Sequence, residues 1–207
     1  MTPDGTAIRP ALSQRLKLET ADQHERMHRL MTKGDPFGHL ERYVAFVAAQ
    51  YLFQRDVEHL FADHDVRRVV PDAQARGRGA SSLADLADLK APIPFDLLAT
   101  AHTHMPEALG WIYVSEGSTL GAAFLLKEAE ANLGLSAKFG ARNLAAYPEG
   151  RAQGWRRFVA SLDSELVAPE THGAVVAGAH AAYQRFGALL QRFFKLSEDG
   201  ATTTFDR

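Results

Sequence analysis

Apolar residues recur along this chain at helical rather than alternating spacing. Across 36–64, Leu40, Tyr43, Val44, Val47, Tyr51, Val57, Leu60 and Phe61 make one stripe. Across 169–196, behind an opening Pro169-Glu170, Val175, Val176, Ala179, Tyr183, Phe186, Leu189, Leu190 and Phe193 make another. Residues 10–31 carry Leu12, Leu16, Ala21, Met27, Leu30 and Met31, loosely periodic at first and then better, and a Lys-Gly-Asp-Pro turn at 33–36 ends that helix. Further helices are expected over 81–89, where serines offer caps, over 93–100, over 106–134 and over 150–166. Residues 65–80 read as a short helical piece and an exposed, arginine-rich loop, and 136–150 as irregular, with turn signals at Gly140 and Pro148-Glu149-Gly150. No alternating strand of convincing length and no internal repeat is found. The pattern predicts one all-α domain over 1–207, a helical bundle of about eight helices with short connections and flexible tails at 1–9 and 197–207.

The segment 106–134 is the least ordinary. Pro106 suits a first turn and Gly134 a C-terminal stop. Between them Gly117 and Gly121 interrupt a strong helix former, and each interior glycine costs roughly 1 kcal/mol against alanine. One turn apart, they leave a bare backbone stripe on one face. Such a stripe serves either close helix–helix packing or a backbone that bends and touches a flat ligand directly.

Composition narrows the chemistry. A hydrophobic content of 46% supports a sizeable core, and a net charge of −2 favours neither nucleic acid nor a membrane surface as partner. The chain lacks the apolar core of a signal peptide and any membrane-length apolar run. With no cysteine there is no disulfide, thiolate metal site or cysteine nucleophile, which fits a reducing cytoplasm. Nine histidines make a metal or haem ligand worth seeking. His24 shares a face with Leu16 and Thr20, at i, i+4 and i+8. An imidazole there is either an ordinary partly buried side chain or a ligand. A competing motif pairs Glu25-x-x-His28 with Asp56-x-x-His59, the spacing from which two helices build a di-iron carboxylate site. Arg26 and Arg29 flank the first copy, which favours a solvated face.

Two stretches together carry a family resemblance. LKLETADQHERMHRL, 16–30, resembles the first helix of haem oxygenases, with a Leu, a Thr and the haem-ligating histidine four residues later. YVSEGSTLGAAFLLKEA, 113–129, resembles their distal helix, in the bacterial, pseudomonad-like form where Glu-Gly-Ser precedes the second glycine. Weaker similarity continues through 154–163 and the last helix, so the likeness touches most of the chain.

The resemblance implies haem sandwiched between the first, proximal helix and a kinked, glycine-rich distal helix. His24 is then the axial metal ligand, and Gly117 and Gly121 lie over the other haem face, leaving room for dioxygen. Mammalian members carry an aspartate after the first glycine; here that position is Ser118, which leaves the proton-delivery residues to be located. Haem propionates need cations, and Lys17, Lys33, Lys127, Arg142, Arg151, Arg156 and Arg157 are candidates. Of these, Lys33 and Lys127 are favoured by their places near the family motifs, and Arg156 by its segment. Tyr113, one turn before Gly117, is a haem-wall aromatic or a plain core tyrosine. The implied reaction is O2-dependent opening of haem b, both cofactor and substrate, to biliverdin, CO and Fe2+, for iron acquisition or bilin chromophore supply. Electrons come from an external reductase or ferredoxin, since the chain has no flavin or dinucleotide motif. Further expected partners are a phytochrome-type photoreceptor or a haem-uptake protein. The alternatives are a haem storage or transfer protein without turnover, and a di-iron oxidase of the same fold.

Overall fold

The computed structural model describes residues 10–145 and 147–196. Eight α-helices make up these residues: α1 (Leu12–Glu19), α2 (Ala21–Gly34), α3 (Leu40–His59), α4 (His64–Val69), α5 (Gly79–Asp88), α6 (Glu107–Leu133), α7 (Arg151–Leu162) and α8 (His172–Phe194). Among the described residues there is no strand, only isolated bridges between Ser136 and the pair Phe139 and Gly140. The expected flexible tails, 1–9 and 197–207, lie outside the described residues. Among the described residues no helix is long and apolar enough to cross a membrane.

The α8 helix is the centre of the bundle, packed against α2, α3 and α6, while α7 and α5 lie on α6 and α3 respectively. Its apolar positions Val175, Val176, Ala179, Tyr183, Leu189 and Leu190 are all buried, as the periodicity requires. The α3 stripe supplies Tyr43, Phe46, Val47, Leu52, Phe53 and Val57 to the same core. Each such side chain taken from water contributes about 1.5–3 kcal/mol before entropy is charged. Two glycines let α6 and α8 touch backbone to backbone. A Cβ on Gly110 would fall on the Val175 carbonyl and the Ala179 amide, and one on Gly178 would fall on the Glu107 carbonyl.

Four expectations need correcting. The first helix does not run unbroken from 10 to 31. It divides at Thr20 (φ −107°, ψ 8°), whose hydroxyl and amide both bond the Leu16 carbonyl, at 2.8 and 3.0 Å. It then continues to Gly34, where Asp35 in the left-handed region closes it. Residues 93–100 are not helical. Pro92 and Pro94 push the residues before them out of the helical region, and α3 and α8 then pin the extended chain. Arg55 donates to the Asp96 carbonyl (2.7 Å), Arg185 and Arg192 donate to its carboxylate (3.2 and 2.9 Å), and Thr100 donates to the Asp56 carbonyl (2.7 Å). The 150–166 helix ends at Leu162, where the Asp163 carboxylate turns to the Ser13 amide and hydroxyl (2.8 and 2.6 Å). Finally, the loop between α4 and α5 is not simply exposed, because Arg76 and Arg78 are buried within it.

Candidate functional site

The glycine stripe of α6 separates into two kinds. Gly110 is a packing glycine. Gly121 is not: a Cβ there would meet nothing within 4 Å. At Gly117 it would meet only the Trp155 ring at 3.8 Å, an ordinary contact. Close packing therefore does not explain the Gly117–Gly121 pair, and the bare backbone opens onto free space. Phe124 lies on the same face, at i+7 from Gly117, and is 65% exposed. Leu120 beside it is also exposed, whereas Ala122 and Ala129 on the opposite side are buried. α6 runs as α-helix without a break through the glycines, and Ser118 and Thr119 return their hydroxyls to the Ser115 and Glu116 carbonyls, both at 2.6 Å. Such back-bonding often accompanies helix bending.

A second open face belongs to α2. His24 is exposed in its second turn, with His28 one turn further on. Partial burial, then the neighbouring His28, holds the His24 imidazole below its ordinary pKa against the opposing pull of Glu25. It is therefore neutral near pH 7, with a lone pair for a metal. The joint below it is firm. Thr20 is buried, with its hydroxyl on the Leu16 carbonyl (2.8 Å) and beside the Tyr113 and Tyr183 phenols, whose pKa values it lowers slightly against burial. Burial pushes the Tyr113 phenol up to about 12, so it stays protonated. Tyr113 is only 8% exposed, and its ring packs on Trp155 at 5.6 Å.

Of the candidate cations, Lys17, Lys33, Lys127 and Arg156 are exposed, and none forms an ion pair with a described residue. The other three are engaged internally. Arg142 binds Asp85 and Asp88, Arg157 binds Asp72 and Glu149, and Arg151 donates to the Leu144 carbonyl. The carboxylates of the di-iron motif are similarly engaged: Glu25 faces Arg29 at 3.8 Å, and the buried Asp56 holds Arg185 at 2.8 Å. Among the described residues no three His, Asp or Glu side chains converge on a metal position.

Behind the glycine stripe lies a buried polar layer that the sequence reading missed. Arg78 Nη2 donates to the Ser115 carbonyl (2.9 Å) and to the Ser115 and Ser118 hydroxyls (both 3.1 Å), and Gln54 donates to the Ser115 hydroxyl (3.2 Å). The Ser118 hydroxyl is thus fixed as donor to the Ser115 carbonyl and acceptor from Arg78. Arg78 Nε is buried without a partner. The backbone that carries Arg78 is held by Glu58, whose carboxylate accepts from the amides of Arg78 (2.6 Å) and Gly79 (2.5 Å). Beside this layer Arg76 binds Glu116 (2.5 Å) and Asp72 (2.9 Å), and Tyr147 donates to Glu116 (2.7 Å). The available signal was Glu116, an acid two residues beyond the apolar run from Leu109 to Val114 on the same helix, which requires a partner once buried.

Comparison with known proteins accords with this arrangement. The family model described as Heme oxygenase matches residues 81–192. The chain is 46% identical over 184 residues to heme oxygenase PigA of Pseudomonas aeruginosa, covering 88% of this chain and 92% of that one. Its fold matches a heme oxygenase from Neisseria meningitidis, crystallised with NO and CO bound, with a TM-score of 0.86 at 32% identity over 94% of this chain and 98% of that chain. An open glycine stripe, an exposed neutral histidine and the match in sequence and fold lead to one conclusion: this chain belongs to the heme oxygenase family and is a haem-degrading enzyme.

Proposed function

We propose that this protein holds haem b between α2 and α6 and opens its ring with O2 and externally supplied electrons, giving biliverdin, CO and Fe2+. The observation that carries the reading is the empty space over Gly121, on a helix where the packing glycine lies elsewhere. When bound, haem supplies the iron at which O2 is activated and the ring that is attacked. The protein supplies geometry and protons.

His24 would offer a neutral imidazole nitrogen to the iron, and the buried Thr20, whose hydroxyl bonds the Leu16 carbonyl, fixes the turn from which His24 projects. Gly117 and Gly121 keep the opposite wall at backbone height, with the Trp155 ring beside Gly117. Phe124 closes the same face and loses its exposure when haem enters. Lys17, Lys33, Lys127 and Arg156 are cations free to meet the propionates, with charge-assisted contacts setting the in-plane orientation. The Ser118 hydroxyl, held between Arg78 and the Ser115 carbonyl, takes the place of an acid at the distal wall. It passes no net charge itself but orders water for proton delivery, while Arg78 keeps the layer positive.

The remaining assignments rest on the same reading: a cytoplasmic enzyme, a reductase or ferredoxin as electron donor, and a role in iron acquisition or in bilin supply, the latter to a phytochrome-type photoreceptor. Aerobic turnover of the haem complex with a chemical reductant, followed by chromatography of the bilin, tests the proposal. Stable haem with no bilin would refute it.

A further inference from the structure

His24 and His28 stand one turn apart on the exposed face of α2, with ring centres 4.9 Å apart and planes at 67°. Two histidines at i and i+4 on one helix face are the spacing with which a helix chelates zinc. A metal bonded at about 2.0–2.1 Å to one nitrogen of each ring holds the ring centres about 4.5–5 Å apart, for ligands at roughly 90–110°. The observed separation already lies in that range. Neither ring is held by a hydrogen bond or ion pair to a described residue. The adjacent Glu25 faces Arg29 at 3.8 Å, which leaves the two imidazoles as the protein ligands.

We propose that in the haem-free protein His24 and His28 together bind one divalent first-row transition-metal ion of the imidazole-preferring kind, Cu2+, Ni2+ or Zn2+. On the reading given above, which this inference uses only for its second half, His24 is also the haem ligand. The ion and haem then exclude one another, and His28 sets how strongly a free metal ion opposes haem loading.

The test is calorimetric titration of the haem-free full-length chain with Ni2+, on wild type, His24→Ala and His28→Ala. Thermal melting first establishes that each variant folds, as removal of an exposed side chain should allow. Wild type is expected to bind one Ni2+ at least tenfold more tightly than either variant. Haem is expected to displace that ion, and Ni2+ to slow haem uptake by wild type but not by His28→Ala. Equal Ni2+ affinity in wild type and His28→Ala would place the ion at another of the nine histidines and overturn the proposal. Ni2+ binding lost in both variants but undisturbed by haem would uphold the histidine pair and overturn His24 as the haem ligand.

Discussion

Arg76 donates through Nη1 to the Glu116 carboxylate at 2.5 Å, and the two side chains are only 3% and 1% exposed. The pair joins the α4–α5 loop to the residue just before Gly117, so it sets where the glycine wall stands. Removing one partner of a buried pair leaves an uncompensated charge, which costs about 3–5 kcal/mol. Asp72 remains a second partner for Arg76, so Glu116→Gln is expected near the low end, about 3 kcal/mol. Urea unfolding measures it; a loss below about 1 kcal/mol would show that the pair contributes little.

Gly121→Leu should abolish bilin formation and leave apo-protein melting nearly unchanged. Leucine is the better helix former by up to about 1 kcal/mol, and the added side chain meets no protein atom near its Cβ. Gly110→Leu should do the reverse, since its side chain collides with α8 backbone and overpacking of this kind costs at least about 1–3 kcal/mol. Melting and single-turnover bilin yield on both variants separate the two roles. A large melting loss in Gly121→Leu with normal turnover per folded molecule would return Gly121 to packing.

His24→Ala should lose the axial ligand and normal turnover while keeping its fold; His28→Ala should keep both. An unchanged haem spectrum with full bilin yield in His24→Ala would sink the assignment. In the apo protein, NMR should show His24 titrating below its ordinary value of 6.5. Burial is the main cause, so the midpoint stays low in His28→Ala but moves upward as the neighbouring charge is removed.

Charge reversal at Lys33 or Lys127 should change the bilin isomer ratio more than haem affinity. Propionate contacts fix the rotation of a nearly symmetric disc, whereas affinity comes mainly from apolar burial and the iron bond. Both lysines are exposed and without an internal ion pair, so the fold should be unaffected. An unaltered isomer ratio in both variants would make them plain solvent residues.

Asp72 predicts an acid dependence. Burial opposes its charge, but Arg76 and Arg157 outweigh it and hold the carboxyl below its ordinary 3.8. A depressed folded-state pKa contributes stability that is present above the unfolded value and lost as pH falls through the folded one. The stability gap between wild type and Asp72→Asn should therefore be full at neutral pH and shrink only below about pH 3.8. Melting from pH 7 to pH 2.5 checks this; a gap independent of pH would refute it.

Much of this protein was legible in its sequence because the information was local. Helical spacing in α3 and α8 dictated which faces are buried, and Thr20, His24, Gly117 and Gly121 stood out by residue type and interval. Other features depended on partners far along the chain. Two glycines of α6 look alike in sequence, yet Gly110 meets α8 and Gly121 meets nothing, a difference made only by how α6 lies on its neighbours. Residues 93–100 carry helical apolar spacing, but two prolines and arginines from α3 and α8 hold them extended. Arg76 and Arg78 sit in a stretch that reads as a solvated loop, because charge and glycine usually signal exposure. They are buried because Glu116, Ser115 and Ser118 arrive from α6 to satisfy them, alongside Asp72 one turn before Arg76. Local pattern determines which residues form helices; whether a charge or a bare backbone faces protein or open space is decided only when the helices are assembled.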